Sequence, residues 1–284
     1  MSWFTEKWTP NINFSVRIKD HIYSEKTPFQ QLEVYDSYEL GRFFTLDGIM
    51  MANEKDEFIY HEMIVHTPMS VNPNIKNVLV IGGGDGGSVR ELTRYPSIQK
   101  IDMVEIDESV VRACQKYFPI TTTGLNDSRV SMMFEDGLAF VKNTKNIYDL
   151  IIVDSTDPIG PGEGLFSMEF YQNSYRILSD NGILINQHES PYFDKESQEM
   201  KRAHHKITAL FPIAKVYQAF IPTYPSGHWL FGFASKKYDP ISDFKASIIE
   251  DLGYQTKYYN KDVHKGSFAL PNYVKEKLSN LPNK

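Results

Sequence analysis

Residues 77–91 read Asn-Val-Leu-Val-Ile-Gly-Gly-Gly-Asp-Gly-Gly-Ser-Val-Arg-Glu. A short apolar run, Val78–Ile81, enters a cluster of glycines, Gly82–Gly87, and leaves it into a helical pattern near Ser88–Arg94. This satisfies G-x-G-x-x-G in the strand, turn and helix context that the motif needs. Glycines let the backbone turn tightly and come close to a ligand at the carboxyl edge of a sheet. Glu105 falls at the end of the next strand, where an acidic residue commonly accepts hydrogen bonds from a ribose diol. A nucleoside-containing ligand is therefore expected. Asp85, inside the loop, narrows the choice. A carboxylate beside a phosphate costs several kcal/mol at an effective dielectric of about 20, which argues against a dinucleotide. It would also repel the carboxylate of S-adenosylmethionine. A decarboxylated donor, ending in an ammonium, would turn Asp85 into a partner. Asp85 capping the following helix is compatible with the same position.

The same texture continues outward from the loop. Strands are expected at Val78–Ile81, Ile101–Ile106, Val130–Phe134, Leu150–Val153 and Ile183–Asn186. Helical patterns lie between them near Ser88–Arg94, Glu108–Phe118, Leu138–Asn143 and Met168–Leu178, and a long one follows at Lys195–Leu210. Strands alternating with helices predict a parallel sheet covered on both faces. Val216–Ile221 and Trp229–Ala234 then flank Pro222-Thr-Tyr-Pro-Ser-Gly227, spacing that permits an antiparallel hairpin at one edge. The fold class expected is α/β with a mixed sheet. Before it, Asn13–Ala52 alternates apolar and polar residues between turn signals such as Asp47-Gly48, the pattern of antiparallel hairpins. A helix is expected near Asp56–Val65, and Pro68 with Asn72-Pro73 sets a boundary between a β-hairpin domain, 1–68, and a catalytic domain, 69–284.

Asp85, Glu105, Asp136, Asp154 and Asp157 all follow the carboxyl ends of expected strands, the edge at which open α/β sheets bind ligands. Asp136-Gly137 could take a hydrogen bond from an adenine amino group. The stretch 154–164, DSTDPIGPGEG, contains no Lys or Arg to pair these acids, so a cationic ligand is the simplest compensation. The net charge of −6 disfavours nucleic acid or an anionic membrane as partner. One cysteine, Cys114, excludes an internal disulfide and fits a reducing compartment. The opening residues lack a secretion signal and no apolar run is of membrane-spanning length, so a cytoplasmic protein is expected.

Several further stretches join the glycine loop in one resemblance: Leu46-Asp-Gly48, Asp56-Glu-Phe-Ile-Tyr-His-Glu-Met63, Asp154-Ser-Thr-Asp-Pro158, Ile221-Pro-Thr-Tyr-Pro-Ser-Gly227, Tyr258-Tyr-Asn260, Asp262-Val-His264 and Phe268-Ala-Leu-Pro271. Together and in this order they resemble the spermidine synthase family over nearly the whole chain. The resemblance implies a Rossmann-like, methyltransferase-type sheet of seven strands behind a small N-terminal antiparallel β domain. It also implies homodimers or homotetramers. The implied reaction moves the propylamine group of decarboxylated S-adenosylmethionine to putrescine, giving spermidine and 5′-methylthioadenosine. Carried over by position, Glu105 holds the ribose, Asp136 and Gly137 the adenine, and Gln30 and Pro161 contact the nucleoside. Asp85 and His61 face the aminopropyl end, Asp157 and Gln187 bind polyamine nitrogens, and Tyr60 and Tyr224 flank the reacting amine. Ser155–Gly164 resembles the gatekeeping loop. Family members vary at the His61 position, where some carry Gln, and around 187–193, so acceptor identity is the least constrained feature. For Trp8, packing of the N-terminal arm and lining of the acceptor tunnel are both open.

Direct attack of the diamine on the carbon beside the sulfonium needs no metal or redox cofactor, since the positive sulfur already activates that carbon. Asp154 is the expected general base, with Tyr60 orienting the amine. Three rivals remain: a methyltransferase acting on a small amine, a nucleoside or polyamine sensor without catalysis, and a nicotinamide oxidoreductase.

Overall fold

The computed structural model describes residues 2–156, 160–250, 253 and 255–279. Its first part is a five-stranded antiparallel meander in chain order: β1 (Ser2–Thr9), β2 (Ile12–Lys26), β3 (Gln31–Ser37), β4 (Arg42–Leu46) and β5 (Ile49–Asn53). The expected hairpins began only at Asn13. β1 was missed because a strand rich in Trp, Lys and Glu carries little period-2 contrast. The turn between β4 and β5 is built as expected, with Asp47 at φ 51° and Gly48 at φ 79°, the positive angles of a two-residue hairpin turn. One face of the meander packs Leu32, Val34 and Phe44 onto Val110, Cys114 and Phe118.

The larger sheet is ordered β11-β12-β10-β9-β6-β7-β8. It comprises β6 (Asn77–Gly82), β7 (Lys100–Glu105), β8 (Val130–Phe134), β9 (Tyr148–Asp154), β10 (Leu178–Gln187), β11 (Ile213–Phe220) and β12 (His228–Ser235). β6 to β10 are mutually parallel, whereas β12 runs antiparallel to both β10 and β11. The sheet is therefore mixed at one edge, as the residues around 222–227 suggested. The helices between strands are α2 (Gly87–Thr93), α3 (Glu108–Tyr117), α4 (Gly137–Asn143), α5 (Met168–Ile177) and α6 (Asp194–Leu210). Three more, α7 (Ser247–Glu250), α8 (Lys261–Ser267) and α9 (Asn272–Ser279), close the chain. Among the described residues no helix is long and apolar enough to cross a membrane.

Helix α1 (Glu57–Met69) joins the two sheets, and nearly every residue in it is buried. Ile59, Tyr60, Met63 and Ile64 share one core with Val78, Val80, Ile152 and Phe231 of the larger sheet. Pro68 lies inside the last turn of α1, and Ser70 caps it with its N–H on the His66 carbonyl at 3.0 Å. Pro68 does not break the helix, since a proline is tolerated where the helix is already ending. The buried polar groups of α1 are satisfied from outside. Glu62 accepts the backbone N–H groups of Lys257, Tyr258 and Tyr259, each at 2.8 Å, and so ties the C-terminal segment to the helix.

Candidate active site

Gly82, Gly83 and Gly86 take φ of 81°, 73° and 81°, a region closed to most side chains. The loop is also crowded. A Cβ on Gly82 would stand 2.1 Å from the carbonyl oxygen of Asp154, and one on Gly87 would stand 2.2 Å from Cε1 of His61. The glycines therefore let β9 and α1 come up to the loop. A cavity of about 160 Å³ opens at this edge. Its walls include Gln30, Tyr60, His61, Asp85, Glu105, Asp136, Gly137, Asp154, Gln187 and Tyr224, so ten of the expected site residues meet around one space. Asp157 lies outside the described residues, as does the side chain of Pro161. Of the expected gatekeeping segment, Ser155, Thr156 and Gly162 line the cavity, as does nearby Leu165; Gly162 and Leu165 sit within the short 3₁₀ helix Gly160–Phe166.

Glu105, buried at the end of β7, accepts the Asp107 N–H at 2.9 Å. Burial pushes its pKa up to about 7; the hydrogen bond from Asp107 opposes this, while the negative charges of Asp107 and Asp154 add to it. Gln30 is placed by a hydrogen bond from its amide to Asp107 at 3.0 Å. Asp136 caps α4, accepting from the Leu138 N–H at 2.8 Å, and lines the cavity.

Asp85 uses one oxygen to accept the Gly87 N–H at 2.8 Å, the capping role that its position allowed. Its other oxygen lies 3.3 Å from Nε2 of His61, whose Nδ1 lies 2.6 Å from Glu57. Arg90 grips Glu57 with two nitrogens, at 2.9 and 3.0 Å. A chain of alternating charge, Arg90–Glu57–His61–Asp85, thus runs from α2 through α1 to the loop. Burial alone would lower the His61 pKa, but Asp85 and Glu57 outweigh it and hold the imidazole well above its ordinary value. The expectation that these acids lack built-in neutralisation is corrected for Asp85. The compensating cation comes from a histidine on another element, which local counting of Lys and Arg could not register.

Among the described residues neither Asp154 nor Glu105 makes an ion pair of this kind, although the His61 charge also acts on Asp154. Asp154 accepts Ser88 Oγ at 2.7 Å and the Tyr60 hydroxyl. Burial raises its pKa, helped by Asp85 and opposed by His61, Ser88 and Tyr60. Tyr60 is pushed well above its ordinary value by burial and by Asp154, so it stays a phenol that donates to the carboxylate. Around it stand Tyr224, at 6.0 Å between ring centroids, and Phe231, at 5.2 Å; Trp229 lies 4.8 Å from Tyr224. Tyr224 donates to the Met51 carbonyl at 2.9 Å, and Gln187 donates to Glu189 at 2.9 Å. Aromatic faces next to carboxylates suit an alkylammonium, which gains both cation–π and ionic attraction. One atom each of His61, Asp85 and Asp154 falls within 4.8 Å of the others. His61 already spends both ring nitrogens on carboxylates and Asp154 holds two hydroxyl donors, so this cluster is an internally bonded network.

Sequence reasoning missed Glu6 and Trp229. Glu6 is buried on β1, accepts the Met50 N–H at 2.9 Å and lines the cavity. An acid on the same strand face as Phe4 was the available signal. Trp229 lines the cavity with its indole N–H buried and without a hydrogen-bond partner among the described residues. Trp8 stacks on Phe14 at 5.2 Å and stands beside Phe193, which favours the packing alternative.

Comparisons with known proteins place the chain in a family. Residues 57–246 match the model of the spermine/spermidine synthase domain, and residues 2–54 that of the spermidine synthase tetramerisation domain. The polyamine aminopropyltransferase of Clostridium beijerinckii is 62% identical over 279 residues, covering 98% of each chain. That of Clostridium botulinum strain Alaska E43 is 64% identical over 277 residues, with the same coverage. The crystal structure of spermidine synthase from Thermotoga maritima superposes with a TM-score of 0.94 at 42% identity, covering 98% of this chain and 94% of that one. A spermidine synthase in complex with the transition-state analogue AdoDATO superposes with a TM-score of 0.95 at 42% identity, covering 98% and 95%. Matched by that family model over most of its length, and 62–64% identical to these aminopropyltransferases over nearly all of it, the chain belongs to the spermine/spermidine synthase family of aminopropyltransferases.

Proposed function

We propose that this aminopropyltransferase takes decarboxylated S-adenosylmethionine as donor and putrescine as acceptor, releasing spermidine and 5′-methylthioadenosine. The observation that supports it most is the placement of Asp85, Glu105 and Asp154 around one cavity with aromatic rings beside them. Glu105 takes the ribose hydroxyls, Asp136 and Gly137 the adenine, and Gln30 the sugar side of the nucleoside. Asp85 and His61 receive the aminopropyl end. Glu6, Gln187 and Asp157 serve the far end of the diamine. The carboxylate of an intact S-adenosylmethionine would meet Asp85, which disfavours the methyltransferase reading.

The chemistry balances without an added cofactor. The lone pair of the acceptor nitrogen forms a C–N bond to the carbon beside the sulfonium. The C–S bond breaks, its electron pair goes to sulfur, and a neutral thioether leaves. The proton on nitrogen passes to Asp154, while the Tyr60 hydroxyl orients that carboxylate. An Asp of raised pKa is a better match to this task than one near 4, and the buried site supplies that rise. The matched tetramerisation domain supports an oligomer, which we take to be a homodimer or homotetramer, and we place the protein in the cytoplasm. With β1–β5 as one part, we propose that α1 goes with the catalytic part.

The test is mass-spectrometric detection of methylthioadenosine and of each product when purified protein receives the donor with putrescine, cadaverine, agmatine and spermidine in competition. Spermidine is expected as the main product. Release of methylthioadenosine with another acceptor dominant would overturn the acceptor assignment, and no release would overturn the reading itself.

A further inference from the structure

Ser88 is the second residue of α2, fully buried, and has no part in the steps above. Its Oγ nevertheless donates to Oδ2 of Asp154 at 2.7 Å. The main chain of Asp154 is pinned by the Gly83 N–H, which donates to its carbonyl at 2.8 Å. A Cβ on Gly83 would lie 3.3 Å from the same Oδ2. That oxygen is therefore enclosed between the glycine loop and the first turn of α2, where even one added methyl group would touch it. No amine with its alkyl chain fits there. Oδ1 is the oxygen with room to meet the acceptor nitrogen, beside the Tyr60 hydroxyl that also bonds this carboxylate.

We propose that Ser88 is a positioning residue for the general base: its hydroxyl occupies Oδ2 of Asp154, turns Oδ1 towards the acceptor amine and holds the carboxylate ionised until it takes the proton from nitrogen. The proposal rests on Asp154 being the base. The groups that face Asp154 are Tyr60 and His61 from α1, Asp85 from the glycine loop, Glu105 from β7 and Ser88 from α2. Burial and Asp85 favour the neutral acid, whereas His61, Ser88 and Tyr60 favour the anion. Removing the Ser88 hydroxyl takes away one donor to the charged form, so protonation of Asp154 moves to higher pH.

The experiment compares wild type, Ser88→Ala, Ser88→Cys and Ser88→Thr by kcat/KM for putrescine across pH at saturating donor. In Ser88→Ala the acid limb should move to higher pH and activity on that limb should fall about tenfold, the size expected for one lost hydrogen bond to a charged group. Ser88→Thr, which keeps the hydroxyl, should restore both. Methylthioadenosine affinity should not change, since the contact lies away from the nucleoside. A purely structural serine would lower the melting temperature and leave the limb in place. If Ser88→Ala does not fold, Ser88→Cys, with a weaker donor, must show the shift. An unmoved limb in the folded variant overturns the proposal. Asp154→Asn, measured alongside, separates the two failures: near-normal turnover there removes the base assignment, whereas an inactive Asp154→Asn with a wild-type-like Ser88→Ala removes Ser88 alone.

Discussion

Nε2 of His61 stands 3.3 Å from a carboxylate oxygen of Asp85, so the residue assigned to the aminopropyl ammonium already holds an internal cation. The His61 pKa is raised above its ordinary 6.5, chiefly against burial, by Asp85 and Glu57. A group whose folded pKa is raised adds stability that is fully present below its unfolded pKa and is lost as pH rises through the folded one. The difference in unfolding free energy between wild type and His61→Gln should therefore be largest near pH 6 and shrink towards alkaline pH. Chemical denaturation at a series of pH values checks this; a difference that is constant with pH would contradict it.

Donor-side binding should depend on pH through Glu105. Its pKa of about 7 in the empty protein means that a proton must leave before the carboxylate can accept two ribose hydroxyls. Affinity for methylthioadenosine, which has the ribose but no ammonium, is expected to rise as pH passes through about 7 and then level off. Glu105→Gln should flatten that profile and weaken binding about 10–100-fold. Calorimetry in buffers of different ionisation enthalpy would detect the released proton.

Asp154→Asn should lower turnover by about 10²–10⁴-fold while methylthioadenosine binding persists. Stopped assays under saturating donor and diamine separate the two effects. Turnover within a few-fold of wild type would displace Asp154 from its role.

Gly82→Ala and Gly48→Ala form a matched pair. Both sites have positive φ, 81° and 79°, but a Cβ at Gly82 meets the Asp154 carbonyl at 2.1 Å whereas one at Gly48 meets nothing within 4 Å. Gly48→Ala should cost about 1–2 kcal/mol, the strain of the conformation alone. Gly82→Ala should cost more than that and also reduce activity, because Asp154 must move. Equal melting temperatures for the two would refute the crowding argument.

Glu6→Gln should raise KM for putrescine with little change in methylthioadenosine affinity, since Glu6 enters the cavity from β1 and is assigned to the diamine rather than to the nucleoside. Steady-state kinetics with each substrate varied in turn would show the split.

The larger sheet was legible because each of its buried strands, such as Leu150–Val153, is a continuous apolar run between turn signals. Glu105, Asp136 and Asp154 were legible for the same reason: the strand pattern put them at the carboxyl edge before any contact was known. Local texture could not show that α1 reaches across to the loop, because its apolar and charged residues are buried all round and give no polar face to read. The Arg90–Glu57–His61–Asp85 chain depends on that crossing, as does the burial of Pro68 in a helical turn. Glu6 and Trp229 were missed because their own strand partners, Phe14 and Ala219, are local, and only the packing of distant segments around the cavity brings them into the site.

The small sheet also has a bearing on where the reaction can occur. Glu6, Gln30, Phe44, Leu46 and Met50 all belong to it or to its turns, and all line the cavity. A chain begun at residue 57 would retain the glycine loop and every group assigned to the chemistry, yet one wall would be replaced by bulk water. Attraction between a carboxylate and an ammonium weakens steeply as the surrounding medium becomes more polar. Such a truncated chain would keep the parts of the enzyme and lose the dryness that makes them act on one another.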